Sequence, residues 1–265
     1  MHPLLTRVVR SGVVQVARQQ WKLLARQLQV LRTSMNTTYP LPNFNLQLFF
    51  EDAIRWQNTL QRQGANIDLG HYYEFGVYTG TTMLTFARAL RAASRTTRLA
   101  RRVTLYAFDS FQGLPKAQSV YDQTPFWKQG QYACSQAEFL QILRSKGVNL
   151  NDVVCVPGYF EDSLTAELAV SLAKEPPSII TIDCDLYSST ITVLQWLRPL
   201  LRHGTLFYFD DIWSFLGHPE FGEWRAIQEF NAQGEGLLVE HHFSLGSKRV
   251  WVYTNPAASR SEVPV

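Results

Sequence analysis

From residue 71 onward, short apolar runs alternate with stretches of helical periodicity. The runs are HYYEFG (71–76), TLYAFD (104–109), VVCVPG (153–158), SIITID (178–183) and TLFYFDD (205–211). Between them the spacing predicts helices over about 80–96, 135–147, 162–174, 189–202 and 220–233. Strand and helix in alternation build a parallel sheet covered on both faces, because parallel neighbours need a crossover that packs back on the sheet. The order then changes. GLLVEHHFS (236–244), a short LGSK loop and RVWVYTN (249–255) predict an antiparallel hairpin.

Upstream the pattern is purely helical. Val14, Ala17, Trp21, Leu24, Leu28 and Leu31 recur at spacings of three and four, with Arg18, Lys22 and Arg26 on another face. TTYPLPNF (37–44), with two prolines, breaks this helix, and a second helix is expected over about 46–64. The division that follows is a basic amphipathic helical arm and linker (1–66), an α/β domain (67–257) and a short tail (258–265).

Charge sharpens the division. Residues 1–50 hold no Asp or Glu but six cations (Arg7, Arg10, Arg18, Lys22, Arg26 and Arg32), whereas the remainder has 19 basic against 22 acidic residues, a net of −3. The body is therefore not a nucleic-acid binder by composition. The arm fits three readings: a helix packed on its own domain or on a second copy, a helix on an anionic membrane surface, or an organelle presequence. No apolar stretch reaches the ~18–20 residues of a membrane span. Cys134, Cys155 and Cys184 are odd in number and lack metal-site spacing, which points to a reducing, cytoplasmic setting, with peripheral membrane contact if the arm provides it.

In an open α/β sheet, ligands bind beyond the carboxyl ends of the strands. The first strand stops in EFGVYTGTT (74–82), whose G-x-x-x-G spacing departs from the G-x-G-x-x-G of dinucleotide sites. Glu74 before this turn suits a cation better than a phosphate. The second strand stops at Asp109, placed to accept both hydroxyls of a ribose, or else to cap a turn. The third ends in PGYFEDSL (157–164), where Gly158 permits a turn. The fourth ends in TIDCDLYSST and the fifth in FYFDDIW, so Asp183 or Asp185 converges with Asp210 and Asp211. Clustered carboxylates cannot all stay ionised without compensation. A divalent cation supplies it, and all-oxygen ligands favour Mg²⁺, Ca²⁺ or Mn²⁺. Asp183 is the preferred ligand of its pair, and helix capping is the alternative role for Asp185 and Asp211.

YEFGVYTGTT, FDSFQGLP, GYFEDSL, IDCDLYSST and FDDI together resemble the macrocin O-methyltransferase family, over residues from about 70 to 255. The resemblance implies a class I methyltransferase, Rossmann-like fold with a seven-stranded sheet, six strands parallel and one antiparallel. It implies S-adenosylmethionine as cofactor, with Glu74, Gly76, Tyr78, Gly80 and Thr81 along its methionine end and Asp109 on its ribose. Ser110 and the 158–162 turn, with Gly158, Phe160 and Asp162, would lie nearer the adenine, and Asp183 also borders the cofactor. Asp183, Asp210 and Asp211 fall where the family holds Mg²⁺. Cys184 between the two acids, Ile212 after the aspartates and the arginine-rich segment Arg88–Arg102 depart from the family pattern and bear on the substrate.

The chemistry expected is methylation of a hydroxyl on a small-molecule acceptor, a sugar or vicinal diol of a natural product or glycan. Mg²⁺ and Asp183 would position the acceptor, and positioning can contribute roughly 7–11 kcal/mol of a barrier. His218, on the loop after the fifth strand, is the candidate general base. VYDQTPFWKQGQY (120–132) is a candidate substrate lid, with a plain packed loop as the alternative. A metal-independent methyltransferase and a non-catalytic S-adenosylmethionine-binding protein are the alternatives.

Overall fold

The computed structural model describes residues 45–63, 70–99, 101–122, 124, 126–216, 218–241 and 250–255. The chain divides into two compact units, Met1–Phe44 and Asn45–Val265. The expectations for the arm before residue 45, for the hairpin loop and for the tail lie outside the described residues.

Seven strands form one sheet in the order β3-β2-β1-β4-β5-β7-β6. They are β1 (His71–Phe75), β2 (Leu105–Asp109), β3 (Val153–Pro157), β4 (Pro177–Ile182), β5 (Leu206–Phe209), β6 (Leu237–His241) and β7 (Val250–Thr254). The first five are parallel. β7 runs antiparallel between β5 and β6, so it is the one reversed strand. This is the class I methyltransferase sheet expected above. β1 and β4 are buried along their whole length, as sheet-centre strands covered on both faces should be.

The helices are α1 (Leu46–Arg62), α2 (Thr81–Thr96), α3 (Gln136–Ser145), α4 (Phe160–Ser163), α5 (Ala166–Leu172), α6 (Tyr187–Leu197) and α7 (Gly222–Ala232). Asn45 caps α1 by accepting from Leu48 N at 3.1 Å. Phe49, Phe50, Ala53 and Ile54 form the buried stripe of α1. Phe50 meets Phe86 of α2 at 5.3 Å and Tyr72 of β1 at 5.8 Å between ring centroids. Gln57, also buried, donates to the Ser178 carbonyl at 2.9 Å and ties α1 to β4. α1 thus belongs to the compact unit that begins at Asn45.

Three boundaries differ from the periodicity, each for a local reason. The helix expected over 162–174 is two pieces, because the Thr165 side chain accepts from Leu168 N at 3.2 Å and starts α5 afresh. The helix expected over 189–202 gives way after Leu197 to a single 3₁₀ turn, Arg198–Leu200, at Pro199, which has no N–H to continue the α ladder. β5 ends at Phe209, so Asp210 and Asp211 stand in the turn just beyond it.

Candidate active site

The sheet grows from β1 in both directions, to β2 and β3 on one side and to β4 and β5 on the other. The crevice for a ligand therefore opens beyond the carboxyl ends of β1 and β4. Among the described residues, five non-glycine residues have positive φ: Tyr78, Phe111, Tyr132, Asp185 and Leu216. All five lie in the connections leaving β1, β2, β4 and β5 at this edge. Such conformations persist only where the surroundings over-determine them, and they gather at ligand sites.

β1 and β4 are sealed together at their ends. Gly76 has φ +82°, its N–H donates to Phe108 O at 2.9 Å, and a Cβ there would lie 1.9 Å from the Asp183 carbonyl oxygen. Asp183 N in turn donates to Phe75 O at 2.9 Å. Gly80, left-handed at φ 79°, opens α2, and Thr81 is its first residue. Asp109 braces this turn: its Oδ2 accepts from Val77 N at 2.7 Å and Tyr78 N at 3.3 Å, and its Oδ1 from Phe111 N at 2.6 Å. Oδ2 is thereby filled, and Oδ1 keeps lone-pair capacity for one further donor.

Glu74 is buried and accepts from the Tyr72 hydroxyl at 2.6 Å. Burial, with Asp109 and Asp210 nearby, pushes its carboxyl up to about 8 despite the Tyr72 hydrogen bond. The Asp183 carboxyl is held well above the usual range, by burial first and then by Asp210, Asp211, Asp185 and Glu74. Asp185 is raised too, by burial and by Asp211 and Asp210, and its carboxyl hydrogen-bonds to that of Asp211. The Tyr208 hydroxyl donates to Asp210 Oδ1 at 2.6 Å, and Ser214 Oγ donates to Asp211 Oδ1 at 2.9 Å.

Five expected site residues, Glu74, Asp109, Asp183, Asp210 and Asp211, thus share one electrostatic neighbourhood with Asp185. The others are set out more loosely. Ser110 is spent on its own turn, donating to Gly113 O at 2.8 Å and accepting from Gln112 N at 3.0 Å. Gly158, at φ +131°, donates its N–H to Asp109 O at 3.0 Å. Phe160 packs edge-on against Phe75 at 5.9 Å, under the turn rather than in the open. Asp162 is exposed. His218 is exposed as well, and its Nδ1 accepts from Glu220 N at 3.3 Å, which places the ring proton of the neutral imidazole on Nε2.

Two aromatic residues of the 120–132 connection touch this edge: Trp127 meets Phe215 at 5.5 Å and Tyr132 meets Tyr78 at 5.6 Å. The Tyr132 phenol is raised by burial and then by Asp185, Asp211 and Asp183, so it lies beside the acidic group. Tyr72 and Tyr208 are not among the residues the sequence singles out, whereas Tyr132 closes the candidate lid. The first two had a signal, since in YYEF and YFD a tyrosine precedes the acid by two residues and alternation puts both on one face.

Among the described residues, no group of three or more His, Cys, Asp or Glu is arranged as a metal cage. The donors present are nonetheless carboxylate oxygens alone, and the Asp185–Asp211 pair needs either a proton or a cation between its oxygens. That donor set fits Mg²⁺, which is held by one or two carboxylates and completes its shell with other oxygens.

A family model described as macrocin-O-methyltransferase (TylF) matches residues 54–234. Among solved structures, CalS11, a calicheamicin methyltransferase, is 22% identical with a TM-score of 0.55, over 77% of this chain and 79% of that one. The O-methyltransferase NovP is likewise 22% identical with a TM-score of 0.55, over 79% of each chain. At this identity the two likenesses are of fold. No curated protein sequence matches the chain.

Proposed function

Since the chain belongs to the macrocin O-methyltransferase family and is therefore an S-adenosylmethionine-dependent O-methyltransferase, we propose that it methylates a hydroxyl of a sugar or vicinal diol on a small-molecule acceptor, with Mg²⁺ assisting. The observation that carries the metal part is the acidic group. The largest influences on Asp183 and Asp185 are burial and other carboxylates, a field that calls for a cation.

The nucleoside would lie against Asp109, whose Oδ1 could accept from a ribose hydroxyl while the bonds from Val77 N and Tyr78 N to Oδ2 hold the turn in shape. Gly76 and Gly80 shape the turn that would border the methionine end, their missing Cβ atoms leaving room for the Asp183 carbonyl and the Phe139 ring, and Glu74 sits behind it as a buried acid. The bound cofactor supplies a methyl carbon already activated by sulfonium charge, so the weak partner is the acceptor hydroxyl. A divalent cation, held by Asp183, Asp210 and Asp211, would compensate the acids and lower that hydroxyl's pKa. Tyr208 and Ser214 fix two of these carboxyls in place. Tyr132 and Trp127 close over the edge and exclude water. For His218 to act as base at Nε2, its bond from Glu220 N must first break, because Nε2 holds the proton while that bond stands.

Calorimetric titration of S-adenosylhomocysteine and Mg²⁺ into the wild type, Asp109→Ala and Asp183→Ala tests both parts. Asp109→Ala is expected to weaken the nucleoside by at least about tenfold, the loss of roughly one charge-assisted bond pair. Asp183→Ala is expected to abolish the Mg²⁺ heat and to spare the nucleoside. A wild type that binds S-adenosylhomocysteine without Mg²⁺ removes the metal from the mechanism, and one that binds neither removes the proposal.

A further inference from the structure

Asp122 is 1% exposed, yet it lies in the 120–132 connection, the candidate lid, and not in any of the acid-bearing strand ends. Its Oδ2 accepts from Gln118 N at 3.1 Å and Ser119 N at 2.9 Å, both in its own loop. Its Oδ1 accepts from Ser188 N at 2.9 Å, 66 residues away in the first turn of α6. That turn needs a partner. The residue in the capping position of α6 is Leu186, whose side chain makes no capping bond. Ser188 N is one of the amides that a capping side chain ordinarily satisfies. A carboxylate is also the charge that a helix N-terminus favours.

α6 begins immediately after Asp183, Cys184 and Asp185, so whatever holds its first turn holds the acid-bearing loop. Asp185 has φ 63°, a conformation that its surroundings must maintain. A second tie runs alongside the first. Tyr121 packs edge-on against Tyr187 at 5.3 Å, and the Arg225 guanidinium sits 3.5 Å over the Tyr121 ring. Arg225 pairs with Glu229 at 2.8 Å, and the Tyr187 hydroxyl donates to Glu229 at 2.6 Å. The far end of the lid closes on its own base, through Leu114 N to Gln131 O at 2.8 Å and Gly130 N to Leu114 O at 2.9 Å. Next along the chain, Tyr132 meets Tyr78.

We propose that Asp122 is a positioning residue: it caps α6 from within the lid and so makes the lid and the Asp183–Asp185 loop move as one unit. An acceptor held under Tyr132 is then in register with the carboxyls, and a lid that opens takes the first turn of α6 with it. The mechanical coupling stands on the hydrogen bonds alone. Its consequence for catalysis rests on the function proposed above.

The test is hydrogen–deuterium exchange on the full chain, with and without S-adenosylhomocysteine, for the wild type, Asp122→Ala and Asp122→Asn. In Asp122→Ala the amides of 114–132 and of 184–190 are expected to exchange about tenfold faster together, while α3 and α7 keep their wild-type rates. The nucleoside should still protect 76–81 but no longer the lid. General loosening of the fold would instead raise exchange everywhere. Asn keeps one acceptor oxygen and turns an NH₂ toward amide donors, so it should shift both segments the same way by less. It serves if the alanine variant does not fold. A lid that loosens while 184–190 stays at wild-type rates overturns the proposal, as does no change in either segment. If the nucleoside protects nothing in the wild type, the functional reading falls, and the ligand-free comparison still decides the coupling.

Discussion

A methyl group on Gly76 has nowhere to go. It would meet the Asp183 carbonyl, and the left-handed backbone at +82° would be strained in any case. Gly76→Ala should therefore cost about 3 kcal/mol or more, strain and close contact together. It should also push β4 away from β1 at the point where the acids leave the sheet. Urea unfolding of the variant checks the first claim, and a midpoint equal to wild type would refute it. Cys184 and Ile212 depart from the family pattern at neighbouring positions, yet both are buried, with the Cys184 thiol against Phe75 O at 3.4 Å. Those departures are absorbed by packing beneath the site.

At the scale of elements, the site is held by what lies behind it. α2 supplies the turn after β1, and α1 in turn covers α2 through Phe50, Phe86 and Tyr72, the last two stacked at 3.9 Å. Four apolar side chains of α1 are fully buried: Phe49, Phe50, Ala53 and Ile54. Burial is worth about 1.5–3 kcal/mol for each large side chain, which is a sizeable part of the ~5–15 kcal/mol stability of an ordinary domain. A chain beginning at Asn45 should therefore melt cooperatively, and one beginning at Gln63 should not. Circular dichroism through a temperature ramp separates them; equal cooperativity in the two would show that α1 is dispensable.

Across the whole molecule, the buried Glu74 and the half-buried Asp183 and Asp185 set how stability depends on pH. Glu74 is raised to about 8, and Asp183 and Asp185 are also raised. In the unfolded chain such groups titrate near ~4. Above the unfolded value the folded state holds protons that the unfolded state has released, so stability falls as pH rises from about 4, for Glu74 through about 8. The slope is at most about 1.4 kcal/mol per pH unit for each such group. Urea midpoints at pH 5, 6.5 and 8 without divalent cation should decline in that order. Glu74→Gln, which keeps an acceptor for Tyr72, should decline less steeply. A profile in the wild type that is flat or rises would contradict the directions assigned to these acids.

Periodicity placed the five parallel strands and the closing antiparallel hairpin, because the centre of a parallel sheet must be continuously apolar and its crossovers must be amphipathic. That a single strand is reversed is what the family resemblance implied. The acids of TIDCDLYSST and FDDI stood out for the same reason: a carboxyl at the end of a buried strand is costly unless something pairs with it. Sequence could not say that Asp185 would pair with Asp211, since alternation puts Asp183 and Asp185 on one face and only the left-handed turn at Asp185 separates them. Nor could it find Asp122, whose partner amide lies 66 residues away. Local pattern is set by bonds and burial within a few residues, so it can be read along the chain. Which loop completes which helix is decided only when the sheet brings distant strand ends to one edge.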